Sequence, residues 1–384
     1  MKSEWKTIRA ADFMEFNPRM NLKKGTIATK ISMDKLQPYT KKIPETEQAE
    51  FSGGTKFSNS DTIMARITPC LENGKTAFVD CLNKDEVAFG STEFIVLRAK
   101  PGVSDAQFVY YLATSPEFRQ VAIKSMVGSS GRQRVQQPVL ENLELVVPEL
   151  PKQKRIGGFL AAIDDKIALN AKINDNLAVL LQTVYQERFG DVDKAVEQGV
   201  LSDICSYSKD RVAVSELDVS TYFSTENMLP RKAGSTEATS LPTTPQTTAC
   251  HKGDTLISNI RPYFKKIVYC EDECGCSTDV LCFMPNQPQY SAYLFSTLYA
   301  DKFFAFMVAG AKGTKMPRGD KQRIMTYPIV LPSEVALAEF NIIALPLIKQ
   351  IYSNRAENKR LSLLRDTLLP KLMSGELDVS DIDL

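Results

Sequence analysis

Cysteine and histidine, two of the side chains that bind zinc most often, cluster in one part of the chain. The cluster consists of Cys250, His251, Cys270, Cys274, Cys276 and Cys282. Its C-x3-C-x-C spacing differs from the C-x2-C pair that wraps a tetrahedral zinc ion, and the segments IVYC and DVLCF are typical of strands. We therefore expect buried cysteines in strands and no metal, although the spacing alone does not decide whether these thiols bind an ion.

The sequence offers little else for catalysis. It has one histidine, no G-x-S-x-G motif, no glycine-rich dinucleotide fingerprint and no NPPF or DPPY tetrapeptide of amino-methyltransferases. The E-x-K at Glu357–Lys359 lies in a helical pattern, where we interpret it as surface charge, and GAKGTK lacks the order of a phosphate-binding loop. Catalytic or metal-binding constellations that depend on histidine therefore have almost nothing to use.

Basic loops suggest a different chemistry. MVGSSGRQRVQQP at 126–138 and VAGAKGTKMPRGDKQRI at 308–324 are rich in Arg, Lys and Gln, and Arg and Gln are side chains that bind guanine and adenine edges bidentately. Each half of the chain also has an earlier basic loop, ITPCLENGK at 67–75 and IRPYFKK at 260–266. The predicted DNA-binding residues are Arg66, Lys75, Arg132, Gln133, Arg134, Arg261, Tyr263, Lys265, Lys312, Lys315 and Arg318.

Overall charge neither supports nor opposes this prediction. The chain has 47 Lys and Arg against 46 Asp and Glu, a net charge of +1, so any basic surface must be local. One such loop alone would be typical of a solvated turn. Equivalent loops in both halves of the chain favour a nucleic-acid interface instead.

The two halves of the chain are related by a duplication. DTIMARITPCL at 61–71 resembles DTLISNIRPYF at 254–264 with an offset of 193, and GSTEFIVL at 90–97 resembles CSTDVLCF at 276–283 with an offset of 186. KISMDKL at 30–36 resembles YFSTENM at 222–228, an offset of 192. From LVVP at 145–148 and IVLP at 329–332 onward the offset stays at 184. Collinear segments in the same order indicate two copies of one plan.

Each copy is predicted to contain a mixed domain followed by a long helix. We expect an α+β fold with two tandem mixed α/β domains, two long antiparallel helices that pair as a coiled coil, and an internal pseudo-twofold relation. The predicted boundaries are 1–149 and 190–331 for the mixed domains, 150–189 and 332–375 for the helices, and 376–384 for an acidic tail. Pro346 is expected to kink or break the second helix.

Residues spaced alternately by three and four predict the contact face of each helix. On this face lie Ile163, Ile167, Asn170 and Asn174 in the first helix, and Ile351, Asn354, Asn358 and Leu361 in the second. The four asparagines allow two interpretations. Buried amides would fix the register of the pair, whereas drift of a 3.6-residue period against 3.5 would leave them at the edge in water.

Residues 148–177, PELPKQKRIGGFLAAIDDKIALNAKINDNL, resemble the spacer helix of specificity (S) subunits of type I restriction-modification systems. The final LLPKLMSGEL at 368–377 is similar to the C-terminal segment of that family, although SEVALAEFNIIALP at 333–346 lacks the EQKRI-like entry. The resemblance covers essentially the whole chain. It implies a protein without catalytic activity of its own, with two target recognition domains that bind the halves of an asymmetric site in double-stranded DNA.

The same resemblance implies partners and locations of cofactors. The helices would set the gap between half-sites and dock two methyltransferase (M) subunits, with restriction (R) subunits joining outside. No cofactor is expected in this chain, because S-adenosylmethionine, ATP and Mg would belong to the partners. Alternatives are a DNA-recognition subunit of a type IIB or stand-alone modification complex, a self-sufficient nuclease or methyltransferase, and a coiled-coil adaptor without DNA contact.

The sequence also predicts the compartment. MKSEWKTIRAADF lacks the apolar core of a signal peptide, and no unbroken apolar run approaches 18 residues. Eight cysteines in a chain of this length are too few for a disulfide framework. We therefore expect a cytoplasmic protein without a membrane segment.

Overall fold

A computed structural model describes residues 5–129, 131–192 and 197–379. The chain forms two compact units. Unit 1 comprises residues 1–170 and 357–384, and unit 2 comprises residues 171–356. Part of the expected acidic tail, residues 380–384, lies outside the described residues.

Unit 1 contains two four-stranded sheets and a two-stranded sheet, with strand orders β4-β3-β8-β5, β2-β9-β6-β7 and β1-β10. Its strands are β1 Trp5–Arg9, β2 Met14–Phe16, β3 Ile27–Ile31, β4 Glu47–Glu50, β5 Thr55–Phe57, β6 Thr62–Ala65, β7 Thr76–Phe78, β8 Ala88–Gly90, β9 Phe94–Ala99 and β10 Glu144–Pro148. Its short helices are α1 Ala10–Phe13, α2 Ala106–Thr114, α3 Pro116–Lys124 and α4 Gln137–Glu141. The long helix α5, Leu150–Phe189, begins in this unit.

Unit 2 has the same inventory of sheets, in the orders β13-β15-β18-β14, β12-β19-β16-β17 and β11-β20. Its strands are β11 Gln198–Val200, β12 Cys205–Tyr207, β13 Arg211–Ala213, β14 Tyr222–Phe223, β15 Gln246–Cys250, β16 Thr255–Ser258, β17 Ile267–Tyr269, β18 Cys274–Cys276, β19 Val280–Pro285 and β20 Pro328–Val330. Its helices are α6 Ser291–Tyr299, α7 Asp301–Ala309 and α8 Lys321–Ile324, and the long helix α9, Glu334–Ser374, follows.

Strand registers confirm the duplication residue by residue. Thr62 of β6 is opposite Leu97 of β9, and the equivalent Thr255 is opposite Phe283. The parallel pair of β3 and β8 in unit 1 has its counterpart in β14 and β18 of unit 2. The copies differ at both edges of this sheet: β4 extends it beside β3 in unit 1, whereas β13 extends it beside β15, at the opposite edge, in unit 2.

Each unit packs its own segments of the two long helices into its main core. In unit 1, Ile156 and Leu160 of α5 and Leu372 of α9 are fully buried against a core that includes Phe108. In unit 2, Leu181 and Tyr185 of α5 pack with Phe340 and Ile348 of α9. An apolar stripe of this kind stabilises a helix mainly through tertiary packing.

Within each unit the α5 and α9 segments run antiparallel, as expected. In unit 1, Asp164 contacts Arg365 and Asn170 contacts Asn358. In unit 2, Asn174 contacts Asn354, and Arg188 contacts Glu339. In both pairs of contacts, a higher residue number on α5 meets a lower one on α9.

Proline does not break α9. The helix continues through Pro346, so the expected break is wrong. Proline removes one backbone hydrogen bond, but Ala344 and Ile348 on either side are buried in the core of unit 2. That packing holds the helical path across the missing bond.

Helix α9 is also long and apolar enough to cross a membrane, judged by length and composition alone. An 18-residue window of it has a mean hydropathy of 1.4, and 28% of that window is buried. The sequence has no unbroken apolar run here, so this window was not predicted, and core helices of globular proteins pass the same test.

Candidate nucleic-acid interface

Two loops of unit 1 meet at Arg134, the loop after β6 and the loop after α3 that carries Arg134 itself. Its backbone forms β-bridges with Ile67, in the loop after β6, and with Val127, after α3. Hydrogen bonds from Thr68 N to the Gln133 carbonyl (3.0 Å) and from Val135 N to the Arg66 carbonyl (2.8 Å) continue this contact. The two basic loops predicted separately from the sequence therefore form one surface of unit 1.

Arg134 is held by a carboxylate that sequence analysis did not single out. Its Nε lies 3.0 Å from both carboxylate oxygens of Glu93, and its Nη2 lies 2.6 Å from Oε1. The hydrogen bond from Arg134 lowers the pKa of Glu93, so the carboxylate stays charged at neutral pH. The repeat of GSTE in CSTD was the one sequence signal that could have identified Glu93.

The other predicted residues of unit 1 fall into two groups. Arg132 is exposed and Gln133 is half-buried beside Arg134, while half-buried Arg66 donates from Nη2 to the Val135 carbonyl at 3.2 Å. Lys75 is different, because its Nζ donates to the Met33 carbonyl at 2.9 Å. The ammonium of Lys75 thus ties two loops together.

Unit 2 repeats the arrangement around Arg318. This residue forms backbone bridges with Ile260 and Lys312, and its Nη2 lies 3.0 Å from Oδ1 of Asp279. Lys312 is exposed and lies 2.6 Å from Asp320, and Lys315 is exposed in the same loop. The structure therefore brings Lys312, Lys315 and Arg318 together on one loop.

The loop after β16 supplies the remaining residues. Arg261, in the left-handed region at φ 51°, donates its N–H to the Pro317 carbonyl at 2.8 Å, which joins this loop to the one that carries Arg318. Tyr263 is 50% exposed beside Phe264. Lys265 Nζ lies 2.9 Å from the carboxylate of Asp301. Hydrogen bonds from Lys232, which has the larger effect, and from Lys265 lower the pKa of that aspartate. Much of the charge of Lys265 is therefore balanced within the unit.

The predicted contact residues of the helices face inward. Ile163 and Ile351 are buried, while Ile167 and Leu361 are half-buried.

The asparagines pair across the helices. In unit 1, Asn170 Nδ2 donates to Asn358 Oδ1 at 2.9 Å, and Asn358 donates to the Ile167 carbonyl at 3.0 Å. In unit 2, Asn354 Nδ2 donates to Asn174 Oδ1 at 2.8 Å. The interpretation that places these amides in water is wrong for Asn170, Asn174 and Asn354, which are at most 8% exposed. Their role in setting the register stays a prediction.

Unit 1 contains a buried ion pair that was not predicted from the sequence. Asp164 of α5 is 5% exposed, and its Oδ1 accepts from Arg365 Nη1 of α9 at 2.6 Å. The hydroxyl of Tyr111 donates to the other carboxylate oxygen at 2.6 Å. With the offset of 184, the residue of unit 2 equivalent to Asp164 is Ile348, and the one equivalent to Arg365 is Leu181. Both are buried.

The cysteine cluster lies in the interior of unit 2. All five of its cysteines are at most 6% exposed, as expected for strand residues, and the Sγ atoms of Cys270 and Cys274 are 3.5 Å apart. His251, in contrast to the five cysteines, has a side chain that is 43% exposed, and its ring nitrogens lie within hydrogen-bond distance of Glu273 and Asp210. Among the described residues, no group of three or more His, Cys, Asp or Glu is arranged to hold a metal ion.

Known proteins share both sequence and fold with this chain. Residues 2–178 match the family model described as the type I restriction modification DNA specificity domain. The chain is 36% identical over 104 residues to the specificity subunit of the type I restriction enzyme EcoAI from Escherichia coli. It is 27% identical over 162 residues to the HindI specificity subunit from Haemophilus influenzae. These matches cover 27% and 42% of this chain, but only 18% and 34% of the two relatives.

The fold extends the likeness to the rest of the chain. The crystal structure of the S subunit of a type I restriction-modification system from M. genitalium matches with a TM-score of 0.58 over 96% of both chains. At 16% identity this likeness concerns the fold alone. Residues 2–178 are therefore similar to the type I restriction modification DNA specificity domain, and the fold of the whole chain is similar to that of a type I S subunit.

Proposed function

We propose that this chain is the non-catalytic DNA-recognition subunit of a type I restriction-modification complex. Each unit contacts one half of a bipartite, asymmetric site in double-stranded DNA through its basic loops. S-adenosylmethionine, ATP and Mg belong to the methyltransferase and restriction subunits that join it, and the complex acts in the cytoplasm.

The observation that carries this proposal is the repeated loop around Arg134 and Arg318. In each unit this loop is bridged to the loop after the equivalent strand, β6 or β16, and presents an exposed arginine. Arginine binds guanine O6 and N7 bidentately, and lysines nearby neutralise phosphates. Two such surfaces of different sequence suit an asymmetric site with two different halves.

Exposed apolar residues support the partner assignment. Val179 and Leu180 of unit 2 are 67% and 47% exposed, and their equivalents Leu363 and Leu364 of unit 1 are 69% and 45% exposed. Large apolar side chains exposed at repeated positions are typical of protein-binding surfaces. A pair of equivalent patches fits two copies of one partner, the methyltransferase subunit.

Binding to duplex DNA tests the function directly. The full-length chain, alone and with its methyltransferase subunits, is titrated against a duplex library at several salt concentrations. We expect affinity that falls steeply with salt, and a loss of binding when Arg132, Gln133, Arg134, Lys315 and Arg318 are all replaced by alanine. Unchanged binding by this variant would refute the assignment of these loops. Methyl transfer or cleavage by the purified chain alone would refute the non-catalytic role.

A further inference from the structure

Each basic loop is paired with an acidic residue that lies just before a strand, Glu93 before β9 and Asp279 before β19. Glu93 contacts the Nε and Nη2 of Arg134, and Asp279 contacts the Nη2 of Arg318. The side chain of Arg134 is 45% exposed and that of Arg318 is 55% exposed. Both ion pairs therefore lie at the protein surface, within the loops that carry the proposed function.

The two ion pairs are equivalent in the duplication. Glu93 and Asp279 differ by the offset of 186 that relates GSTEFIVL to CSTDVLCF, and Arg134 and Arg318 differ by 184. The backbone around them is also repeated, since Arg66 N donates to the Glu93 carbonyl (2.9 Å) and Asn259 N donates to the Asp279 carbonyl (2.8 Å). An arginine–carboxylate contact is thus built at the same place in both units, through Nε and Nη2 of Arg134 and through Nη2 of Arg318.

Neighbouring ion pairs lack this repetition. Arg98 pairs with Asp61 in unit 1, but the residue equivalent to Arg98 is Met284. Lys312 pairs with Asp320 in unit 2, but the residue equivalent to Asp320 is Gln136. Retention of the arginine–carboxylate pair in both units therefore sets it apart from these structural contacts.

An exposed ion pair contributes little to the free energy of unfolding, so stability does not explain why both units contain one. Solvent screens the attraction, and holding two long side chains in one geometry costs conformational entropy. The orientation that the carboxylate imposes on the guanidinium group explains the pair better. Guanidinium donors form a rigid fork, and a carboxylate on the Nε and Nη2 edge leaves the outer edge of Arg134 to donate to a base.

We propose that Glu93 and Asp279 are positioning residues that orient Arg134 and Arg318 for sequence-specific base contacts, one in each half-site. This inference rests on the proposed function. The carboxylate also repels phosphate, so the paired arginine is a poor ligand for the DNA backbone and binds well only where a base edge accepts its outer donors. Removal of the carboxylate frees the arginine to bind phosphates at any sequence.

Selection from a randomised duplex library tests this role. The full-length chain, assembled with its methyltransferase subunits, is used as wild type and as Glu93→Gln and Asp279→Asn. We expect E93Q to lose on the order of tenfold of its base preference in one half-site only, and D279N in the other. On a duplex without the selected motif, each variant is expected to bind as well as wild type or better. The slope of log affinity against log salt should steepen by about 0.9 if one phosphate contact is gained.

Two further variants separate orientation from folding. Arg134→Lys keeps the charge but loses the fork, so it should lose the same base preference as E93Q while retaining affinity for DNA. Asp12→Asn removes the carboxylate of another exposed ion pair, 3.0 Å from Arg9, and should change neither the selected motif nor the salt slope.

The outcomes distinguish this inference from the proposed function. If the wild-type assembly selects no sequence, the proposed function is wrong. If wild type selects a bipartite motif and E93Q, D279N and R134K select the same motif, the positioning role is wrong and the function stands. A uniform loss of affinity with an unchanged motif would likewise refute positioning, because it indicates a merely structural contact.

Discussion

Asp164 carries a negative charge into the core of unit 1, where Arg365 and Tyr111 are its hydrogen-bond partners. Burial of an ion pair costs desolvation, and the loss of one partner leaves an uncompensated charge. In unit 2 the equivalent positions are occupied by the buried apolar residues Ile348 and Leu181. The duplication thus offers a matched apolar replacement for an ionic contact between α5 and α9.

Substitution of Arg365 by leucine should therefore be strongly destabilising. R365L leaves Asp164 buried without its cation, and we expect a loss of about 3–5 kcal/mol in the free energy of unfolding. D164I/R365L copies the residues of unit 2 and should recover most of that loss. Denaturant unfolding of the two variants measures both values, and a double variant as unstable as R365L would contradict the explanation.

At the scale of the elements, amide pairs connect α5 to α9 within each unit. The pair Asn170–Asn358 of unit 1 and the pair Asn354–Asn174 of unit 2 are exchanged by the offset of 184. The a/d pattern predicted that these asparagines lie on the contact face, but a pattern could not tell a buried amide from one at the edge. Their partners are about 180 residues away in sequence, so only the folded structure shows that these amides are buried.

The buried amide pair of unit 2 can be tested by single and double substitutions. Asn174→Leu removes the acceptor of the Asn354 Nδ2 donor, which should cost about 1–3 kcal/mol in the free energy of unfolding. N174L/N354L removes both amides and should be more stable than either single variant. Additive losses in the double-mutant cycle would show that the two side chains do not depend on each other.

The exposed apolar residues of the long helices lead to a prediction about stoichiometry. Leu180→Glu and Leu364→Glu each place a charge on one of two equivalent patches. We expect wild type to bind two methyltransferase subunits and each variant to bind one. The variant with both changes should bind none. Mass measurement of the assembled complexes gives the counts, and two bound subunits in the double variant would place the docking surface elsewhere.

At the scale of the whole molecule, the chain repeats one plan with local variation. The repeated segments predicted which strands correspond, and the registers of Thr62 with Leu97 and Thr255 with Phe283 agree with that prediction. The different edge strands, β4 and β13, could not be predicted, because short edge strands carry few apolar residues and their sequences do not align.

The candidate site was predictable only in part, for a related reason. Clusters of arginine, lysine and glutamine stand out in a sequence, so the loops of Arg134 and Arg318 were found. A single acid such as Glu93 has no local signal, because its importance depends on an arginine about 40 residues away. The inward direction of Lys75 likewise depends on the carbonyl of Met33 and not on its own neighbours.

We propose, as the central claim for the whole chain, that this protein determines which DNA sequence its complex modifies. Sequencing that detects methylated bases, applied to the host genome with and without this gene, tests the claim most directly. We predict a bipartite motif, with two different half-sites separated by a fixed gap, that is methylated only when the gene is present. Methylation patterns that are identical in the two strains, or a methylated motif of one continuous block, would contradict it.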